Sequence, residues 1–166
     1  MFGFEINTSS KADLYHDLYA AMDALTSGEP DPIANMANAA ALLWEYLPDL
    51  NWAGFYRMID GELVLGPFQG KAACIRIKLG QGVCGVAAQS QSTQIVADVH
   101  SFEGHIACDS ASASELVVPL IDQDMLIGVL DLDSPLLARF DTEDAAGLEK
   151  LADMLAPRLR PRTGQS

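Results

Sequence analysis

The apolar residues of this 166-residue chain change period near residue 50, and that change constrains the fold more than any other feature. Before it, Leu14, Leu18, Ala21, Met22 and Leu25 recur at helical spacing. They follow Ser9-Ser10 and Asp13, the pattern of a helix N-terminus with an acid in its first turn. Gly28-Glu29-Pro30 stops this helix. A second runs from near Pro32 through Ile33, Met36, Ala40, Leu43 and Trp44 to about Tyr46. Beyond it, Trp52-Ala53-Gly54-Phe55-Tyr56-Arg57-Met58 reads as a strand, Asp60-Gly61 as a hairpin turn, and residues 62–66 as the returning partner.

Shorter units follow. Ile75-Arg76-Ile77 is a strand, and Gly80-Gln81-Gly82 leads into a small-residue helix over about 83–89. Gln94-Ile95-Val96-Ala97 is a further strand. A loop then extends from Asp98 to Ser114, and a loop of that length in a compact domain is usually functional. Residues 116–121 and 126–133 are apolar strands joined through Asp122-Gln123-Asp124. A closing helix starts at Asp141-Thr142-Glu143-Asp144 and continues through Leu148, Leu151, Met154 and Leu155. The expectation is an α+β fold: one domain over residues 1–166, with a central, mostly antiparallel sheet of about six strands flanked by helices. Its core spans about 11–157, and 158–166 form a frayed tail.

Composition excludes several classes. Hydrophobic residues make up 49% of the chain, too many for disorder. No apolar run approaches the ~20 residues that span a bilayer. The N-terminus lacks the basic segment and apolar stretch of a signal peptide, so the expected location is cytoplasmic. A formal net charge of -13 repels nucleic acid and anionic membranes.

The three cysteines, Cys74, Cys84 and Cys108, lie in one segment of the chain. An odd count leaves at least one thiol unpaired, so they point to thiol chemistry or metal binding rather than to a disulfide framework. No Cys-x-x-Cys pair occurs, which weakens the metal reading. Cys108 lies within the long loop next to Asp109, with His100 and His105 upstream. The Gly80-Gln81-Gly82 turn lacks the lysine and spacing of a phosphate loop, and no Gly-x-Ser-x-Gly elbow is present.

Asp131 and Asp133 lie two apart near the end of an apolar strand, so both point the same way, in line with Ile127 and Val129. They mark either the rim of a pocket or a solvated turn capped by Asp133-Ser134-Pro135. Two carboxylates this close resist joint ionisation, and partial burial raises at least one pKa. Glu115, just before the neighbouring strand, could join the same rim. Trp52 and Tyr56, four apart in a strand, share a face that serves either the core or the wall of a ligand site.

Taken together, Asn51-Trp52-Ala53-Gly54-Phe55-Tyr56, Gly66-Pro67-Phe68-Gln69-Gly70-Lys71, Gly82-Val83-Cys84-Gly85, Gly104-His105-Ile106-Ala107-Cys108-Asp109, Ser114-Glu115 and Gly128-Val129-Leu130-Asp131-Leu132-Asp133-Ser134-Pro135 resemble the free methionine-(R)-sulfoxide reductases. These are stand-alone GAF-domain enzymes. The resemblance runs from about Tyr15 to Leu155, with Ala72, Gln81 and Ala113 as departures from the usual residues. It implies reduction of free L-methionine (R)-sulfoxide without a bound cofactor. On the same resemblance Cys108 attacks the sulfoxide, Cys74 resolves the sulfenic acid and Cys84 takes part in thiol exchange. Thioredoxin supplies the electrons, ultimately from NADPH. Glu115, Asp131 and Asp133 match the acidic pocket, and Trp52 and Tyr56 the aromatic wall. The rival reading is a non-enzymatic GAF sensor of a small ligand, which has no need of three thiols. The amphipathic first helix is compatible with a homodimer.

Overall fold

The computed structural model describes residues 3–102 and 111–161. Helix α1, Lys11–Thr26, is capped by the Ser10 side chain, which accepts from the Asp13 amide, as the sequence pattern predicts. Helix α2, Pro32–Tyr46, begins with proline at its first turn behind an Asp31 cap. Strands β1, Trp52–Ile59, and β2, Glu62–Gly70, form the expected hairpin. Asp60 and Gly61 both adopt positive φ there, the mirror-image turn that matches strand twist.

Strand β3, Arg76–Lys78, and helix α3, Gly82–Ser90, come next. Strand β4, Gln94–Val96, is followed by a 3-10 turn over Val99–Ser101. Strands β5, Ser114–Asp122, and β6, Met125–Ser134, and helix α4, Thr142–Leu159, complete the chain. The six strands form one antiparallel sheet in the order β3-β2-β1-β6-β5-β4.

The sheet separates two apolar clusters. Helices α1, α2 and α4 supply one, around Leu18, Met22, Leu43, Leu148 and Leu155 against Phe55, Leu116, Leu130 and Leu132. Helix α3 covers the other face with Val83, Cys84, Ala87 and Ala88 against Trp52, Tyr56, Val117 and Val129. The small side chains of α3 bring its backbone close to the sheet, and this thinner layer holds the site. Among the described residues no helix is long and apolar enough to cross a membrane.

Some boundaries and one face depart from the sequence reading. Strand β2 runs on to Gly70 rather than ending at residue 66, because its pairing with β1 continues to Trp52. Helix α4 takes in Arg158 and Leu159, assigned above to the tail. Leu159 is buried, and the Arg158 guanidinium donates to the Thr26 hydroxyl, so tertiary contacts carry the helix past Pro157. Strand β5 starts at Ser114 rather than 116, because pairing with β6 continues to Ser134. Ile127 joins the opposite cluster from Val129. The register shifts between Leu120 and Ile121, leaving Ile127 as an extra residue that reverses the alternation.

Candidate active site

Strand register decides which side chains meet. β6 lies between β1 and β5, so Trp52, Asp133 and Glu115 form one cross-strand row, and Gly54, Asp131 and Val117 the next. Alternation turns these rows toward α3, whose Cys84 shares a cluster with Trp52 and Val117. The cleft between sheet and α3 is lined by Trp52, Tyr56, Ala73, Gln81, Cys84, Ser112, Glu115, Asp131 and Asp133.

The acids are not a solvated turn. Glu115 and Asp131 are only 7% and 6% exposed, while Asp133 is half-buried at the rim. The turn is served instead by Ser134, whose hydroxyl accepts from the Leu136 amide at 3.1 Å. Burial, reinforced by the neighbouring acids Asp131 and Asp133, pushes the Glu115 carboxyl well above the usual carboxylate range. Burial pushes Asp131 up as well, to about 7. Both can therefore hold a proton near neutral pH, as general acids must.

Cys84 lies in the first turn of α3 and is buried and free. Its thiol donates to Glu115 Oε1 at 3.9 Å. A helix N-terminus favours a thiolate by about 1 kcal/mol or less. Burial first, and then Asp131 and Glu115, outweigh this and raise the thiol well above its ordinary value. Cys84 is a protonated thiol in this site.

The aromatic wall is a stack. Trp52 lies between Phe68, at 5.2 Å between ring centroids, and Tyr56, at 5.8 Å. Gly54 makes room for it, since a Cβ there would stand 2.8 Å from the Trp52 ring. Both polar tips of the wall tie down the same strap of chain. Trp52 Nε1 donates to the Lys71 carbonyl at 3.1 Å, and the Tyr56 hydroxyl to the Cys74 carbonyl at 3.1 Å. The wall thus fixes the backbone that carries a second thiol. Cys74 is disulfide-bonded.

Of the residues singled out from sequence, Trp52, Tyr56, Cys84, Glu115, Asp131 and Asp133 line one cleft. Cys74 is carried by the strap along its edge, next to Ala73. Cys108, with His105 and Asp109, lies outside the described residues. Sequence reasoning misses Phe68, because the β1–β2 register shifts between Gly54 and Tyr56 and breaks the alternation that would place it. It also misses Ser112, a buried lining residue whose hydroxyl accepts from Asn51 Nδ2 at 3.0 Å.

A GAF domain family model matches residues 32–159. The chain is 52% identical to the free methionine-R-sulfoxide reductase of Escherichia coli over 146 residues, 88% of either chain. It is 43% identical to that of Saccharomyces cerevisiae over 161 residues, 90% of this chain and 89% of the relative. An X-ray structure of the Neisseria meningitidis free methionine-R-sulfoxide reductase in complex with its substrate superposes with a TM-score of 0.92. That alignment has 45% identity and covers 96% of each chain.

Proposed function

Because the chain belongs to the GAF domain family and, within it, to the free methionine-R-sulfoxide reductases, we propose that it reduces free L-methionine (R)-sulfoxide to methionine with its own thiols. The observation that carries this reading is the buried pair of high-pKa acids, Glu115 and Asp131, beside an aromatic wall that holds the strap bearing Cys74.

A sulfoxide is a poor electrophile until its oxygen is protonated or strongly hydrogen-bonded. Glu115, with Asp133 in the same cross-strand row, supplies that proton. The Cys108 thiolate attacks the sulfur and takes over the oxygen as a sulfenic acid, and methionine leaves. The Cys74 thiol then condenses with the sulfenic acid, releasing water and forming a disulfide. A dithiol reductant of the thioredoxin class takes the disulfide back to two thiols, so the cycle consumes one sulfoxide and two electrons. The disulfide-bonded state of Cys74 supports its role as the resolving thiol. The reducing cytoplasm suits such a cycle.

Specificity follows from the same walls. The substrate ammonium pairs with the Asp131 carboxylate, and the S-methyl group rests on Trp52. An amide in place of the amine would leave that buried carboxylate unpaired, which disfavours peptide-bound methionine. The test is turnover of the separate R and S epimers of free methionine sulfoxide, and of the N-acetylated R epimer, with dithiothreitol as reductant. Turnover of the free R epimer alone is expected. Comparable turnover of the acetylated compound would overturn the reading.

A further inference from the structure

The Cys84 thiol and the two most buried acids of the cleft form a donor set that proton chemistry alone does not exhaust. Cys84 Sγ and one carboxylate oxygen each from Glu115 and Asp131 all lie within 4.8 Å of one another. The thiol and Glu115 Oε1 stand 3.9 Å apart. Asp131 Oδ1 is buried and accepts no hydrogen bond, although its residue lines the cleft. The three donors come from three separate elements, β5, β6 and α3, packed in one apolar cluster. We propose that Cys84, Glu115 and Asp131 bind a thiophilic divalent cation of the zinc class, and that this cation closes the cleft to substrate.

The spacing fits such an ion. Zinc takes thiolate sulfur at about 2.3 Å and carboxylate oxygen at about 2.0–2.2 Å, which sets tetrahedral ligands roughly 3.5 Å apart. The Cys84–Glu115 pair is within a few tenths of an ångström of that spacing. A small rotation of Asp131 would bring its unpartnered oxygen in as the third ligand. The fourth position faces the cleft and is left to water, the arrangement of an open zinc site. Magnesium and calcium fit poorly, because they require six or more oxygen donors and have no use for a thiolate.

The proton balance is explicit. The cation displaces the Cys84 S–H proton and any proton held by the two carboxyls, and the liberated thiolate and carboxylates carry three negative charges against its two positive ones. Proton release makes binding tighten as pH rises. The thiol is available while Cys74 is held in its disulfide, since Cys84 is free in that state. Competition with substrate rests on the proposed reductase reading, because the substrate ammonium and the cation would share Asp131. The binding of the cation does not depend on that reading.

The experiment uses the full chain in its disulfide form, without added thiols, titrated with cobalt(II) as the spectroscopic probe. One cobalt per chain is expected, with a near-ultraviolet thiolate-to-cobalt band that excess zinc abolishes. Cys84→Ser should lose the band. Glu115→Gln and Asp131→Asn should each keep it and bind at least about ten-fold more weakly, as loss of one ligand implies. Far-ultraviolet circular dichroism confirms that each variant is folded. Absence of the band, its persistence in Cys84→Ser, or unchanged affinity in both carboxyl variants would overturn the site. Added free methionine (R)-sulfoxide should raise the apparent cobalt dissociation constant, and no change would overturn closure of the cleft. A protein that shows the band yet fails to reduce the sulfoxide would sink the reductase reading and leave the cation site standing.

Discussion

Two described cysteines in one short segment have opposite fates because of where their sulfurs sit. Cys84 is sealed between α3 and two acids, where ionisation is disfavoured, while Cys74 lies on a strap held by the aromatic wall. Thiolate character controls thiol exchange, so on the proposed reading the sealed, high-pKa Cys84 is the poorer resolving group and Cys74 takes that role. Cys108→Ser should therefore abolish even the first methionine released. Cys74→Ser should still release one methionine per chain but fail to turn over with thioredoxin. Single-turnover methionine release on the two variants checks both outcomes. Loss of the first turnover in Cys84→Ser alone would mean the nucleophile is misassigned. The acids also leave a thermodynamic trace. Burial raises the folded-state pKa of Asp131 from 3.8 to about 7, so the folded protein holds this proton more tightly than the unfolded chain. The stability tied to that proton is fully present below about pH 4. It is lost at about 1.4 kcal/mol per pH unit as pH rises toward 7. Glu115 acts in the same direction. Asp131→Asn should gain stability relative to wild type between about pH 5 and about pH 8. Urea midpoints at the two pH values measure this, and parallel profiles would contradict it.

Elements are locked together through Asp144, at the start of α4. Its carboxylate, almost fully buried, accepts from Lys11 Nζ at 2.6 Å, from Arg139 Nη1 at 3.2 Å and from the Tyr15 hydroxyl at 2.9 Å. It also accepts the Asp141 amide at 3.0 Å, completing a capping box with Asp141. One side chain thus joins α1, α4 and the β6–α4 connection. Asp144→Ala would leave the mostly buried Arg139 guanidinium without its ion-pair partner, and breaking such a pair costs about 3 kcal/mol or more. Urea unfolding should show a clear drop in midpoint with the slope preserved. A loss of only a few tenths of a kcal/mol would show that water replaces these contacts. Much of the element level was legible in advance. Ser10, Asp31 and Asp141 cap the three long helices, and Asp60-Gly61 turns the first hairpin, all from chemistry within a few residues. The bulges that misplace Ile127 and hide Phe68 were not legible, because a bulge is settled by the partner strand.

At the scale of the whole molecule, one sheet keeps a thick helical layer on one side and a thin reactive layer on the other. The net charge of -13 acts on the entire fold. Self-repulsion of like charge destabilises the compact state, and salt screens it over about 10 Å at 0.1 M. Exposed pairs such as Arg76–Glu62 lose little by comparison. Sodium chloride should therefore raise the thermal midpoint by roughly 2–4 °C, about 1 kcal/mol for a chain of this size. Calorimetry in low and in moderate salt checks this, and a falling midpoint would show that ion pairs outweigh the repulsion. The sequence by itself determined the order of helices and strands, the hairpins and the common face of Trp52 with Tyr56. Each depends on backbone preferences and side-chain periods that operate over a few residues. Only the tertiary structure decided that Asp131 is buried rather than solvated, that Glu115 stands opposite Asp133, and that Cys84 meets Glu115 across 31 residues of chain. Burial and pKa depend on what distant segments bring to the same place, and local pattern carries no record of that.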